Sequence, residues 1–154
     1  MIVLADPQTA VVDALRARLL ADPVLVSTGA AGMRAASAIT GHVSAATRVA
    51  YPYVLLGRRA DTHEGGAMQV DGARPIVQID VWSNAAGPYE AAALASRIFT
   101  LLERAPLVVT GFDVLDGSLH CEWSEVFDEP DPDNAEARLY HSVQRWTVEL
   151  HGRP

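Results

Sequence analysis

One helical stripe of apolar side chains, between Gly87 and Ala105, limits the folds available to this chain more than any other feature. Its members recur at the spacing of a single helix face: Ala91, Leu94, Ala95, Ile98, Leu101 and Leu102. The segment just before it, Pro75 to Ser83, alternates between apolar residues (Val77, Ile79 and Val81) and polar residues (Gln78 and Asp80). An amphipathic helix that follows an alternating strand predicts a helix packed on one face of a sheet.

A second helix is predicted near the N-terminus, where Asp6 provides an N-cap and Pro7 occupies the first helical position. Asp22 and Pro23 are expected to end it. The other predicted strands are Val49 to Arg58, Leu107 to Leu115, Ser118 to Phe127 and Leu139 to Leu150. This order predicts an α+β fold, a mostly antiparallel sheet of four to five strands with two main helices packed on one face. The length of 154 residues suits a single domain, residues 1–154.

Three segments are predicted to be loops because they lack the large apolar residues of a core element. Residues 27–48 are rich in Ala, Gly and Ser, with a short helix from Met33 to Ile39 as an option. Arg58 to Arg74 is polar and glycine-containing, which is typical of a protruding hairpin or loop between two strands. Residues 128–137 combine acidic side chains with two prolines and are predicted to be an acidic, solvated loop.

No group of residues has the spacing that catalysis, cofactor binding or metal binding requires. A calcium loop that began at Asp131 would need a glycine at its sixth position, where Glu136 stands. The five histidines are scattered, without HxxxH or HExxH spacing. We therefore expect no catalytic residue, no cofactor and no metal, and the chain is predicted not to be an enzyme.

Charge and cysteine content narrow the class of protein further. The formal net charge of −7 argues against a nucleic-acid-binding surface, because such surfaces neutralise phosphates with Lys and Arg. The single cysteine, Cys121, indicates a reducing compartment and is expected on the buried face of a strand with Leu119 and Trp123. The apolar run Met1 to Ala5 is too short for a signal peptide or a membrane span. These features predict a protein that is cytoplasmic when made.

Two groups of charged residues are the candidates for contacts with other subunits or partners. The first group belongs either to a solvated hairpin or to a contact between subunits: Arg58, Arg59, Asp61 and Glu64. The second group lies in the predicted acidic loop: Asp128, Glu129, Asp131 and Asp133. Tryptophan is enriched at interfaces, so Trp82 and Trp146 are either both core residues or one of them lies at a subunit boundary.

Several segments occur in an order that resembles the tail-completion, or tail-terminator, family of long-tailed phages and phage-like particles, including gene-transfer particles. They are the helix Ala14 to Asp22, the strand Pro52 to Gly57, the triplet Val81-Trp82-Ser83 and the Ala/Leu-rich helix after Gly87. The resemblance covers roughly Ala10 to Leu102 and rests on order and spacing, since no single motif in it is specific. The chain departs from the family's pattern in its Ala/Gly/Ser segment and its acidic loop.

The resemblance implies a structural virion component. Its subunits would form a ring, usually a hexamer, that caps the head-proximal end of the tail tube, stops tube polymerisation and joins the tail to the head-side connector. The implied partners are other copies of this chain, the tail-tube protein and the head-side connector or stopper protein. DNA would pass through without specific binding, and no membrane is involved. The protein would be cytoplasmic during assembly and then part of the particle's tail.

Two alternatives stay open at this point. One is a neck or head-completion protein of the same particle, and the other is a small α+β ligand-binding or enzymatic domain. For the ring, each subunit must present two different patches, because a closed ring is built from heterologous contacts. The two charged groups carry opposite charge features that could meet across such a contact.

Overall fold

Ten helices and strands are present in the structure, a computed structural model that describes residues 6–26, 36, 39–40, 50–58 and 72–152. In chain order they are α1 (Pro7–Leu20), α2 (Pro23–Val26), β1 (Ile39–Thr40), β2 (Tyr53–Arg58), β3 (Ile76–Ser83), α3 (Tyr89–Leu102), β4 (Phe112–Val114), β5 (His120–Asp131), β6 (Asn134–Thr147) and β7 (Leu150–Gly152). Within these residues, no helix has both the length and the apolar character needed to cross a bilayer.

A five-stranded sheet in the order β1-β2-β3-β6-β5 forms the centre of the molecule. The β1–β2 pair is parallel and the three other pairs are antiparallel, while β4 and β7 form a separate two-stranded sheet. The two long helices, α1 and α3, both contact β3 and also contact each other. The predicted α+β architecture, a mostly antiparallel sheet with two main helices, is confirmed.

The core lies between the helices and one face of the sheet, which we call the inner face. The α3 stripe is buried as predicted, apart from the partly buried Leu101, and it packs with Val77, Ile79 and Val81 of β3 in one apolar cluster. Gln144 of β6 is also buried on this side, where its side-chain amide donates to the carbonyl of Ala95 at 2.8 Å. Removal of this apolar surface from water is the main favourable term for the fold.

The predicted start of α1 is confirmed. The Asp6 carboxylate accepts hydrogen bonds from the backbone N–H groups of Gln8 and Thr9, at 3.3 and 3.2 Å, so it caps donors that have no partner within the helix. The end of α3 differs from the prediction, because the helix stops at Leu102. Arg104 adopts a φ of 55°, outside the right-handed helical region, and its N–H donates to the carbonyl of Leu119 at 2.8 Å.

The prediction of an acidic loop over residues 128–137 is wrong. This segment is a β-hairpin, in which β5 continues to Asp131 and β6 begins at Asn134, so that only Pro132 and Asp133 form the turn. The Asp131 carboxylate accepts the N–H of Asp133 at 2.9 Å and closes that turn. Long cross-strand pairing satisfies the backbone groups here, and the charged side chains remain in water.

The predicted loop over residues 27–48 is wrong at Ile39–Thr40, which pairs in parallel with β2, so the helix considered from Met33 to Ile39 does not extend to Ile39. Ile39 is only 3% exposed and its carbonyl accepts a hydrogen bond from Arg16 at 2.8 Å, so core packing holds this short strand in place. Most of that segment, and residues 59–71 of the predicted Arg58 to Arg74 loop, lie outside the described residues.

Of the predicted strand Leu107 to Leu115, only Phe112–Val114 is a strand.

An ion pair joins the turn after α1 to α3. The buried Asp22 carboxylate accepts hydrogen bonds from Arg97 at 3.0 and 2.6 Å and from the N–H of Leu25 at 3.1 Å. The hydrogen bonds from Arg97 hold the pKa of Asp22 below its ordinary value of 3.8, although burial acts in the opposite direction. The charged form of Asp22 therefore stabilises the packing of α1 and α2 against α3.

We expect Asp22→Asn to lower the free energy of unfolding by about 1.5–3 kcal/mol near neutral pH, because a charged, buried acceptor is lost. The folded-state pKa lies below 3.8, so the contribution of Asp22 is complete above that value and is lost as the pH falls through the folded-state pKa. The difference between the two proteins should therefore shrink below about pH 4.

Urea unfolding of both proteins at several pH values measures this difference. Asp13→Asn is the matched control, because Asp13 is exposed on α1 and its replacement should change stability by no more than about 0.5 kcal/mol. A penalty for Asp22→Asn that is constant down to low pH would contradict the assigned role of the carboxylate.

Candidate functional site

A hairpin made of β5 and β6 projects beyond the rest of the sheet. The last residue of β3, Ser83, pairs with Tyr140, so in the part of the chain that the structure describes, residues 128–139 of the hairpin pair with no strand other than β5 and β6. We call these residues the arm. The arm carries five acidic side chains and one arginine. Over the longer range 122–138 there are seven acidic residues and one arginine, which accounts for −6 of the chain's formal charge of −7.

Hydrogen bonds within the arm fix its shape. The Arg138 guanidinium donates from both Nε, at 3.1 Å, and Nη2 to one oxygen of Asp128 on the opposite strand. At the tip, Asn134 accepts the N–H of Glu136 at 3.2 Å, next to the turn closed by Asp131. These bonds leave most of the acidic side chains of the arm exposed to water. The arm therefore presents negative charge on an ordered support.

His141 links the base of the arm to the sheet on the outer face, the face turned away from α1 and α3. Its ring stacks on Trp82 of β3 with centroids 3.7 Å apart, and its Nε2 lies 2.8 Å from a carboxylate oxygen of the buried Asp80. Its Nδ1 lies 3.7 Å from a Glu129 oxygen. Gln78 donates to both oxygens of Asp80, at 3.0 and 3.1 Å. Side chains of three strands thus meet where the arm begins.

The predicted contact residues fall into two separate places. Asp128, Glu129, Asp131 and Asp133 all lie on the arm. Arg58 is the last residue of β2 and pairs with Val77, which in turn pairs with Trp146, so its backbone lies at the end of the sheet opposite the arm. Arg59, Asp61 and Glu64 lie outside the described residues. Within one chain, the structure does not bring Arg58 and the arm together.

Three large apolar side chains on β5 are exposed: Trp123 (41%), Val126 (38%) and Phe127 (38%). The prediction that Trp123 is buried with Leu119 and Cys121 is therefore wrong. Cys121 pairs with Trp146 but Trp123 pairs with Arg145, so a β-bulge at Glu122 shifts the alternation by one residue. Leu119 and Cys121 remain turned toward the core, whereas Trp123 lies near Phe127 on the outer face, with ring centroids 6.2 Å apart.

Sequence reasoning missed this exposed surface, although a signal was present. Between Glu122 and Pro130, apolar and acidic residues are interleaved without the clean alternation of a half-buried strand. Of the two other tryptophans, Trp146 is a core residue with 1% exposure, and Trp82 is partly buried on the outer face. Trp82 remains a candidate for a subunit boundary.

Cys121 is half-buried, and its environment does not resemble that of a reactive thiol. Burial raises its pKa, which keeps the sulfur protonated and weakly nucleophilic. The neighbouring His120 is held by Glu103, with Nδ1 2.8 Å from Oε1. In the part of the chain that the structure describes, no group of three or more His, Cys, Asp or Glu side chains is placed to hold a metal ion.

An open groove of about 590 Å³ runs beside α1. It is lined by Ala10, Ala14 and Ala17 of the helix and by Val108, which is 87% exposed. Its polar residues include Asp6 and Thr9, which already bond to each other and to the helix N-terminus. Ligand pockets need polar groups that converge on a bound molecule, and the described lining of this groove offers no such set.

Comparison with known proteins identifies the relatives of this chain. A family model described as Tail completion protein gp17 matches residues 13–148. Seven chains of solved structures match the fold. One of them belongs to the virion of a native gene transfer agent (GTA) particle and aligns with a TM-score of 0.70 and 21% identity over 97% of this chain and 100% of that chain. At this identity the likeness shows a common fold. No curated protein matches the chain.

The two tryptophans on β5 and β6 provide a direct test of the exposed surface. Trp146→Ala should lower the free energy of unfolding by about 3–5 kcal/mol, since it empties a core position. Trp123→Ala should change it by no more than about 1 kcal/mol, because the residue is 41% exposed and lies outside the core. Urea unfolding followed by circular dichroism measures both values. Equal penalties would mean that Trp123 serves the fold itself and not a contact surface.

Proposed function

Because this chain belongs to the family of tail completion protein gp17, as the resemblance in its sequence predicts, we propose that its subunits form a terminator ring at the head-proximal end of a tail tube. The ring, expected to be a hexamer, stops tube polymerisation and joins the tail to the head-side connector. Family membership is the observation that carries this proposal. The shared fold with a chain of a GTA virion supports it. The same membership makes the chain a structural tail protein, so the prediction that it is not an enzyme is confirmed.

The described surfaces suit a ring in one specific respect. Ring closure requires that each subunit meet its neighbours through two different patches. The arm carries negative charge at one end of the sheet, and β2 places Arg58 at the other end. The arm and Arg58 cannot meet within one chain. They could meet only if the arm of one copy contacts Arg58 of a neighbouring copy. We assign Asp131 and Asp133, at the tip of the arm, to this contact.

The acidic character also suits a channel for DNA. A surface rich in carboxylates does not retain phosphates, so DNA would pass through the ring without being held. The partners in this proposal are neighbouring copies, the tail-tube protein and the head-side connector or stopper protein. The protein would act in the cytoplasm during assembly and remain in the tail of the finished particle.

Light scattering tests the ring directly. We expect a mass near six times 16.5 kDa, either for the protein alone or after addition of the tail-tube subunit from the same particle. Added to tube subunits that polymerise, the protein should shorten the tubes in proportion to its concentration, which electron microscopy measures. A strict monomer that leaves tube length unchanged would exclude the terminator function.

Charge reversal tests the proposed subunit contact. We expect Arg58→Glu combined with Arg59→Glu to weaken ring assembly about tenfold at low salt, because attraction between opposite charges across the proposed contact is replaced by repulsion. The effect should decrease as salt is added, since ions screen exposed charges. Combining these changes with Asp131→Lys and Asp133→Lys should restore assembly.

Sedimentation at several salt concentrations measures these changes, with Asp13→Lys as a control, since Asp13 is an exposed carboxylate on α1 that belongs to neither patch. If the Arg58 and Arg59 reversal leaves ring assembly unchanged at low salt, this contact is wrong, although the ring itself would still stand.

A further inference from the structure

The outer edge of β5 is an unused pairing edge. The strand order places β5 last in the sheet, and among the described residues no strand pairs with its outer side. Residues 122–130 are all exposed. An edge strand presents a row of backbone N–H and C=O groups that can hydrogen bond to another extended chain. Strand addition to such an edge is a common mode of peptide recognition.

Two features mark the limits of the segment available for pairing. At one end, the bulge between Cys121 and Trp123 breaks the regular ladder. At the other end, Pro130 has no N–H to donate. Between these limits, residues 123–129 form an uninterrupted strand, one edge of which is paired to β6. This length is enough for a short extended segment to be added.

The side chains of this segment indicate the chemistry of its partner. On the outer face, apolar and acidic residues alternate: Trp123, Glu125, Phe127 and Glu129. Facing side chains on adjacent strands interact directly, and opposite charges and apolar pairs are favourable there. A complementary segment would therefore alternate apolar residues with Lys or Arg along one face.

The same charges act against pairing between two copies of β5. Each β5 strand carries five acidic residues and no Lys or Arg. Two such strands paired over their full length would bring ten carboxylates together at strand spacing, with no basic side chain on either strand to offset them. Like charges across strands are destabilising. The exposed apolar residues are thus available to a basic partner and protected from self-association.

We infer that the outer edge of β5, residues 123–129, is a strand-addition site for an extended segment of another protein, with apolar residues alternating with Lys or Arg. The inference rests on the proposed function only in taking that protein to be a component of the same particle. It concerns the edge of the strand, whereas the subunit contact proposed above uses the tip of the arm. The two surfaces can be tested separately.

Synthetic peptides of about seven residues provide the probe. The first peptide alternates Lys and Leu on one face, with Thr between them, and the second replaces each Lys with Glu. A third has the first sequence with N-methyl groups on alternate backbone nitrogens, which removes the donors along one edge. Binding is measured from amide chemical shifts and hydrogen exchange of the intact protein. We expect the Lys peptide to bind at least about tenfold more tightly than the other two and to slow exchange in β5.

Charge reversal in the protein gives the complementary test. Glu125→Lys combined with Glu129→Lys should exchange the preference, so that the Glu peptide binds more tightly than the Lys peptide. The matched control is Asp13→Lys combined with Asp116→Lys, which reverses two exposed carboxylates elsewhere and should leave the preference unchanged. Core amides that keep their protection show that each variant is folded.

Three outcomes would overturn the inference. The first is equal binding of the Lys and Glu peptides, and the second is full binding of the N-methylated peptide, which would leave no role for the strand edge. The third is concentration-dependent protection of β5 in the protein alone, which would make a second copy the occupant. Ring mass, measured on Glu125→Lys alone because Glu129 belongs to the predicted contact group on the arm, reports separately on the proposed function and should not change.

Discussion

Strand β6 is the element on which the rest of the structure depends, because it is hydrogen bonded on both sides. Along its C-terminal half it pairs with β3 and buries Gln144 and Trp146 against the helices, and along its whole length it pairs with β5. The two roles overlap between Tyr140 and Thr147. A single strand therefore carries the apolar core at one end and the charged arm at the other. The orientation of the arm is fixed by the same ladder that holds the core together.

The elements predicted correctly are those with a local signal. The apolar stripe of α3, the alternation in β3 and the Asp6 cap of α1 depend on residues close in sequence, and the structure confirms each. The errors share a different cause. The acidic residues from Asp128 onward form strands because the two sides of the hairpin pair with each other. Ile39 forms a strand because its backbone pairs with β2 and its side chain packs in the core. Such pairing partners are distant in sequence, so composition alone indicated loops.

The candidate site likewise combines features that the sequence indicates with features that only the fold determines. Its residues could be selected from the sequence as charged, yet their positions depend on the topology, which places Arg58 and the arm at opposite ends of the sheet. The bulge at Glu122 decides which way Trp123 points, and a one-residue shift of this kind moves every later side chain to the other face. No pattern in the sequence marks the bulge. The interleaved residues from Glu122 to Pro130 indicate that β5 is not an ordinary half-buried strand, but the face on which each apolar side chain lies follows only from the register.

The charges of β5 oppose pairing between its exposed aromatic residues and other copies of the chain. An unprotected edge with Trp123, Val126 and Phe127 would pair readily with other copies, and proteins commonly oppose such pairing with charged residues, bulges and prolines. All three devices are present between Cys121 and Pro130. Carboxylates oppose only partners of the same sign, however, and attract basic ones. At the proposed strand-addition site, protection of the edge by charge thus also selects the partner, so the acidity of this hairpin would serve both purposes.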